Sequence, residues 1–193
     1  MFLRDHIVLA AAEELKTRGV KFTMNDLAKR LSLSKTTLYD HFAAKSDLIQ
    51  ELVNRSSQTI QEQEDEIYKN ARLSTAEKIQ SLLKISQKVF GPVYNRAIHD
   101  DFRHYYPDHY KQLSDFRQER LDKLMALIQQ GIEEHAFRPV NVSVFRQLII
   151  SVLDDLCSFQ FLEKNNMTYA DALTALSDII LHGLIPPKEG DIR

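Results

Sequence analysis

The sequence predicts an all-α protein of about nine helices, a small three-helix N-terminal head followed by a larger helical body. Three observations carry this. Apolar residues recur at three- and four-residue spacings through nearly every long segment. No Asn-Gly or Asp-Gly hairpin dipeptide occurs, and no sustained two-residue alternation. Glycine and proline, five of each, fall mostly where helices would end: Gly19, Gly91-Pro92, Pro107, Pro139, Gly183 and Pro186-Pro187.

The first helix spans Leu3 to Arg18, with Leu3, Ile7, Ala10, Ala11 and Leu15 facing inward. Thr23 followed by Asp26 is an acid-for-Glu capping box that starts the second helix, which ends near Leu31. Ser32-Leu33 makes a tight turn, and Ser34 caps a short third helix through about Asp40. The fourth begins near Lys45-Ser46 and reaches the Gln61–Glu66 polar run, with a stripe of Leu48, Leu52 and Ile60 in its first half. Ser74 with Glu77 is a full capping box for a fifth helix through Phe90. A short sixth follows over Pro92–His99. The seventh covers Asp108 to about His135, burying Leu113, Phe116, Leu124, Leu127 and Ile128, with Gly131 expected to break or kink it.

The last two helices carry more apolar surface than one core-facing stripe needs. Val142 to Leu162 is apolar over most of its circumference, and Tyr169 to Leu184 carries two stripes, one of them containing Ala172, Ala175 and Ile179. Two such neighbours predict a two-fold interface; central helices of a bundle are the other reading.

Composition sets the outer bounds. A chain of 193 residues allows a head joined to a body and buries roughly 70% of its unfolded surface. Hydrophobic residues at 44% and charged residues at 27% exclude disorder. The single cysteine, Cys157, excludes a disulfide within the chain and fits a reducing, cytoplasmic setting. The apolar run Ile7–Ala12 is too short to span a membrane and lacks a secretory cleavage pattern. Residues 1–55 hold 9 Lys/Arg against 7 Asp/Glu, a balance of +2; residues 56–193 hold 16 against 20, a balance of −4. A basic head on an acidic body suits a local contact with a polyanion.

The head contains a docking element for such a contact. Thr23–Phe42 reads TMNDLAKRLSLSKTTLYDHF, which is helix, tight turn, helix. Leu27, Ala28, Leu31, Leu33, Leu38 and Phe42 form a small core with Ile7, Ala11 and Phe22, and Ala28 leaves room where two helices cross steeply. The second of these helices exposes Lys35, Thr36, Thr37 and Tyr39, hydroxyls and a cation suited to base edges and phosphates in a major groove about 12 Å wide.

These residues resemble the TetR family of one-component bacterial transcriptional regulators. The resemblance lies in Leu27-Ala28, in the turn Leu31-Ser32-Leu33-Ser34, and above all in TLYDHFAAKSDL from Thr37 to Leu48; AAAEEL before Gly19 and ILHGL at 180–184 add to it. The sharp part covers about a quarter of the chain. Two positions depart from the family pattern: Ser32 stands where glycine is usual in the turn, and Thr36 where a small residue is usual in the reading helix.

The resemblance implies a helix-turn-helix DNA-binding domain over 1–45 and a helical regulatory and dimerisation domain over 46–193. It gives Thr36 and Thr37 base-edge or sugar-phosphate contacts, and Lys35 a base or phosphate contact. Tyr39, His41 and Lys45 receive phosphate contacts, and Thr23 a cap that also touches the backbone. It further implies a homodimer reading an inverted-repeat operator, since two heads about 34 Å apart would reach successive turns of duplex DNA. A small-molecule inducer, bound between the fourth and seventh helices, would change the separation of the heads and release the repressor.

Other chemistry finds little support. No phosphate-binding Gly loop, no His-Glu-x-x-His run and no nucleophile–base spacing is present, so no enzyme and no cofactor are expected. His99, His104 and His109 are spaced so that they fall on different helix faces across Pro107, and no metal site is expected. Asp154 and Asp155 suit either a cationic ligand or solvent, and Cys157 a buried packing role. Phe90, Tyr94, Phe102, Tyr105, Tyr106, Tyr110 and Phe116 suit either core packing or a ligand lining. The remaining alternatives are a DNA-binding regulator whose body senses a protein partner or only dimerises, and a helical interaction module that binds no DNA.

Overall fold

Capping chemistry marks out the helices in the computed structural model, which describes residues 2–85, 96–156 and 159–185. Phe90, Gly91, Pro92, Tyr94, Cys157, Pro186 and Pro187 lie outside the described residues, as do the side chains of His99, Asp154, Asp155 and Tyr169. Ten helices are described: α1 (Leu3–Arg18), α2 (Met24–Leu31), α3 (Lys35–His41), α4 (Lys45–Lys69), α5 (Thr75–Leu83), α6 (Arg96–Tyr105), α7 (Pro107–Glu133), α8 (Val142–Leu156), α9 (Phe159–Lys164) and α10 (Tyr169–Leu184). A 3-10 turn, Gly19–Lys21, joins α1 to α2. The all-α class is as expected. The expected helix from Val142 to Leu162 corresponds to α8 and α9, between which 157–158 lie outside the described residues.

The chain divides into two compact units, residues 1–61 with 87–116 and residues 62–86 with 117–193. The first is built on α1 to α3. Thr23 accepts from the Asp26 N–H at 3.1 Å, and the Asp26 carboxylate accepts from the Thr23 N–H at 2.9 Å, the reciprocal pair that opens α2. Ser32 ends α2 in the left-handed region (φ 55°, ψ 36°), with the Leu33 N–H donating to the Ala28 carbonyl at 2.9 Å. Ile7, Ala11, Leu15, Phe22, Leu27, Ala28, Leu38, Phe42, Leu48, Ile49 and Leu52 form one buried cluster, joined by Phe102 of α6 and Leu113 of α7. Complete burial of a side chain such as Leu27 contributes roughly 1.5–3 kcal/mol. Leu3, expected inside, is instead exposed in the first turn of α1.

Polar contacts fasten α3 within this unit. Arg55 of α4 pairs with Asp5 at 2.8 Å and with Glu51 at 2.7 Å. Glu51 lies 3.5 Å from Arg4, whose guanidinium donates to the His41 carbonyl at 2.9 Å and sits 4.2 Å from the centre of the Phe42 ring. Glu14 of α1 is buried and pairs with Arg30 of α2 at 2.9 Å.

In the second unit, Ser74 with Glu77 and Thr168 with Asp171 make capping boxes at the starts of α5 and α10. These two helices pack together, burying Ile79, Leu82, Leu173, Leu176 and Ile180. Helix α5 ends at Leu83, where the Lys84 N–H is shared between the Gln80 and Ser81 carbonyls at 3.2 Å; 86–90 of the expected helix lie outside the described residues. Helix α7 runs unbroken through Gly131 to Glu133. The expected break is absent, and the glycine serves a close approach: a Cβ at 131 would overlap the Phe137 ring. Buried Glu64 pairs with Arg120 at 2.7 Å. Burial and the nearby Glu64 charge push the Tyr68 phenol well above its ordinary range. On the outside of this unit Val144 is 66% exposed and Ile179 69% exposed, with Leu148 also open to solvent.

Candidate nucleic-acid interface

Ser34 sets the start of α3: its Oγ accepts from the Thr37 N–H at 3.0 Å, so Lys35 and Thr36 fall in the first helical turn. Leu38 anchors the helix in the buried cluster, which turns Lys35, Thr36, Tyr39 and Asp40 outward. Lys35 and Tyr39, four residues apart, share one face; Thr36 and Asp40 share the next. Tyr39 is 48% exposed, a large aromatic kept in water by its backbone position.

The other sequence-identified residues are less open. Thr37 is half-buried, and its hydroxyl lies 2.8 Å from the Ser34 hydroxyl. His41 is half-buried at the end of α3, with its carbonyl held by Arg4. Lys45, at the start of α4, folds back: its ammonium donates to the Val20 carbonyl and stands 4.3 Å from the centre of the Phe22 ring and 5.9 Å from that of Tyr106. Burial holds the Lys45 ammonium below the usual lysine range, with the Asp26 charge opposing the shift.

A groove of about 570 Å³ gathers Lys35, Tyr39 and Lys45 from the expected set. Thr36, Thr37 and His41 do not line it. The groove also contains Lys21, Thr23, Asn25, Tyr105 and Tyr106, of which only Thr23 was placed near DNA from sequence. Tyr105 and Tyr106 sit at the junction of α6 and α7, more than sixty residues along the chain from Tyr39, and only folding brings them here. His104 lies edge-on to the Tyr105 ring at 4.6 Å, while the His109 imidazole meets the Ser46 carbonyl at 3.2 Å. Among the described residues no group of three or more His, Cys, Asp or Glu side chains is placed to hold a metal ion.

The head matches the family model for bacterial regulatory proteins of the tetR family over residues 7–52, which include every residue of α2 and α3. The similarity extends to full length in YvaF, an uncharacterized HTH-type transcriptional regulator of Bacillus subtilis (strain 168). The two are 27% identical over 188 residues, 97% of this chain and 98% of that one. The head is of the tetR-family type over residues 7–52, and the chain shares its fold with solved regulators of that family. Solved structures carry the same fold at low identity. The ketosteroid transcriptional regulator KstR2 of Mycobacterium tuberculosis aligns with a TM-score of 0.75 at 19% identity, over 95% of each chain. A transcriptional regulator from Saccharomonospora viridis, solved in complex with choline, aligns with a TM-score of 0.76 at 19% identity, over 95% of this chain and 98% of that one. TetR-family regulators are DNA-binding proteins rather than enzymes. No described helix is long and apolar enough to cross a membrane.

Proposed function

We propose that this chain is a regulator of the TetR family, a cytoplasmic homodimeric repressor that reads an inverted-repeat operator through α3 and leaves it when a small molecule binds the body. The observation that carries the proposal is the outward face of α3, where Lys35, Thr36 and Tyr39 stand in solvent on a helix pinned by buried Leu38. Thr36 is suited to a base edge. Lys35 and Tyr39 reach bases or backbone, Lys45 a phosphate, and Thr37 and His41 the flanking sugar-phosphate. Residues 1–45 act as the DNA-reading domain and 46–193 as the regulatory and dimerising one.

Exposed Val144, Leu148 and Ile179 support dimerisation, because a lone unit would leave these apolar groups in water. The choline bound by the S. viridis neighbour supports a body that takes a small molecule. In this chain buried Glu64, paired with half-buried Arg120, and the neighbouring Tyr68 would supply polar groups for such a ligand's recognition. Release follows if the ligand binds the DNA-incompetent arrangement of heads more tightly than the competent one. Selection of duplexes from a random pool, repeated with metabolites present, tests the whole: a palindromic consensus lost with one compound is the expected result. Failure to enrich any duplex at low ionic strength rejects it.

A further inference from the structure

We propose that the groove formed by the 3-10 turn, α3, the start of α4 and the end of α6 seats a backbone phosphate of duplex DNA, with Lys21 and Tyr105 contacting the strand from outside the helix-turn-helix. This presupposes the operator-binding function proposed above and adds α6 to the DNA-binding surface.

Three cations from three separate elements, Lys21, Lys35 and Lys45, line one concavity. Among the described residues none of the three has a carboxylate within ion-pair distance, whereas most arginines of the same unit do. The acid that acts on Lys45 through charge, Asp26, is already committed: its carboxylate accepts from Thr23 at 2.7 Å and pairs with Arg18 at 3.3 Å. Lysines that line one groove with no ion-paired carboxylate favour an anion there. Lys45 has three N–H donors and spends one on the Val20 carbonyl, leaving two for a ligand.

The groove wall selects the form of that anion. Tyr105 is 54% exposed and Tyr39 48%, so two phenol hydroxyls stand ready as donors of the kind that hold sugar-phosphate. The groove is continuous with the α3 face bearing Lys35 and Tyr39. An extended polyanion that meets this face therefore runs on to Lys21 and Tyr105. A duplex strand offers a phosphate at about 3.4 Å intervals of helix rise, dense enough to place one in the groove.

The test uses the full chain, a duplex selected from a random pool by the wild-type protein, and an unrelated duplex. Lys21→Ala is expected to weaken both by the same factor and to lower the salt slope of log affinity by about 0.9, one phosphate's worth. Tyr105→Ala is expected to weaken both without changing the slope, because it removes no charge. Ethylation interference is expected to lose one flanking phosphate in Lys21→Ala. Both positions are exposed, and unchanged thermal melting verifies the fold. Wild-type slope and affinity in both variants, with wild-type protein still binding the selected duplex, would overturn the groove assignment alone. Wild-type protein that binds neither duplex overturns the operator-binding function with it. Inorganic pyrophosphate, added at constant ionic strength, distinguishes a free anion as occupant: saturable binding lost in Lys21→Ala, with DNA binding intact in that variant, also overturns the assignment.

Discussion

The Lys45 ammonium stands 4.3 Å above the Phe22 ring while donating to the Val20 carbonyl, so one cation both clasps the turn after α1 and faces the groove beside α3. Replacing it with methionine keeps the apolar stem and removes the charge. Lys45→Met is expected to weaken all duplexes alike and to reduce the salt slope by about 0.9. An unchanged slope in titrations at several salt concentrations would reject the phosphate contact. A pH effect accompanies it. Burial lowers the folded pKa of Lys45 below 10.5, so between that value and 10.5 the folded chain has released a proton the unfolded chain still binds. Lys45's contribution to stability therefore rises with pH across this window. Urea titrations of Lys45→Met at alkaline pH are expected to lack that rise.

Thr36 has no buried role: it is exposed in the first turn of α3 and lies outside the groove. Thr36→Ala is expected to alter preference among operator variants by about 1–3 kcal/mol at the affected base pair while leaving non-specific affinity unchanged. Selection from a randomised operator with each protein provides the comparison, and identical profiles would remove Thr36 from base reading.

Ser32 occupies the left-handed region with φ 55°. A side chain there costs about 1–2 kcal/mol, and glycine's extra freedom in the unfolded chain cancels part of the gain. Ser32→Gly is expected to raise stability by about 0.5–1 kcal/mol, read as a higher melting temperature. A fall would mean that the serine hydroxyl matters more than its backbone.

Gly131 behaves in the opposite way, because the constraint is space. Any Cβ there overlaps Phe137, whose N–H donates to the Gly131 carbonyl at 2.9 Å and holds the ring's backbone in place. Gly131→Ala, which ordinarily favours a helix, is expected to destabilise by about 1–3 kcal/mol in urea unfolding. Adding Phe137→Leu should recover part of the loss.

Ile179 is 69% exposed on α10. Placing a charge on this apolar face is expected to prevent association: Ile179→Glu should sediment as a monomer and lose operator binding at concentrations where wild-type protein binds. A dimer with unaltered affinity would move the interface elsewhere.

The local grammar of the fold was legible in the sequence. Thr23–Asp26, Ser34 and Ser74–Glu77 cap the helices they were expected to cap, because such caps depend only on neighbours a few residues away. The head core around Leu27, Leu38 and Phe42 was legible because helical spacing fixes which residues share a face. The groove was not. Lys21 and Tyr105 belong to segments far apart in the chain, and nothing in either one's neighbours marks it as a partner of Lys45. Gly131 showed its glycine but not the reason, which lies in the ring of a residue beyond the helix end. Arg4 gave no signal at all, since its partners, His41 and Glu51, lie on α3 and α4.

The chain of contacts from Asp5 through Arg55, Glu51 and Arg4 to the His41 carbonyl ties α1 and α4 to the C-terminal end of α3. Tilting that helix alone would break the Arg4–His41 link and draw Leu38 out of the buried cluster. The reading surface consequently travels as a single stiff plate, and in the proposed dimer control must come from the gap between two such plates rather than from a change in their contours.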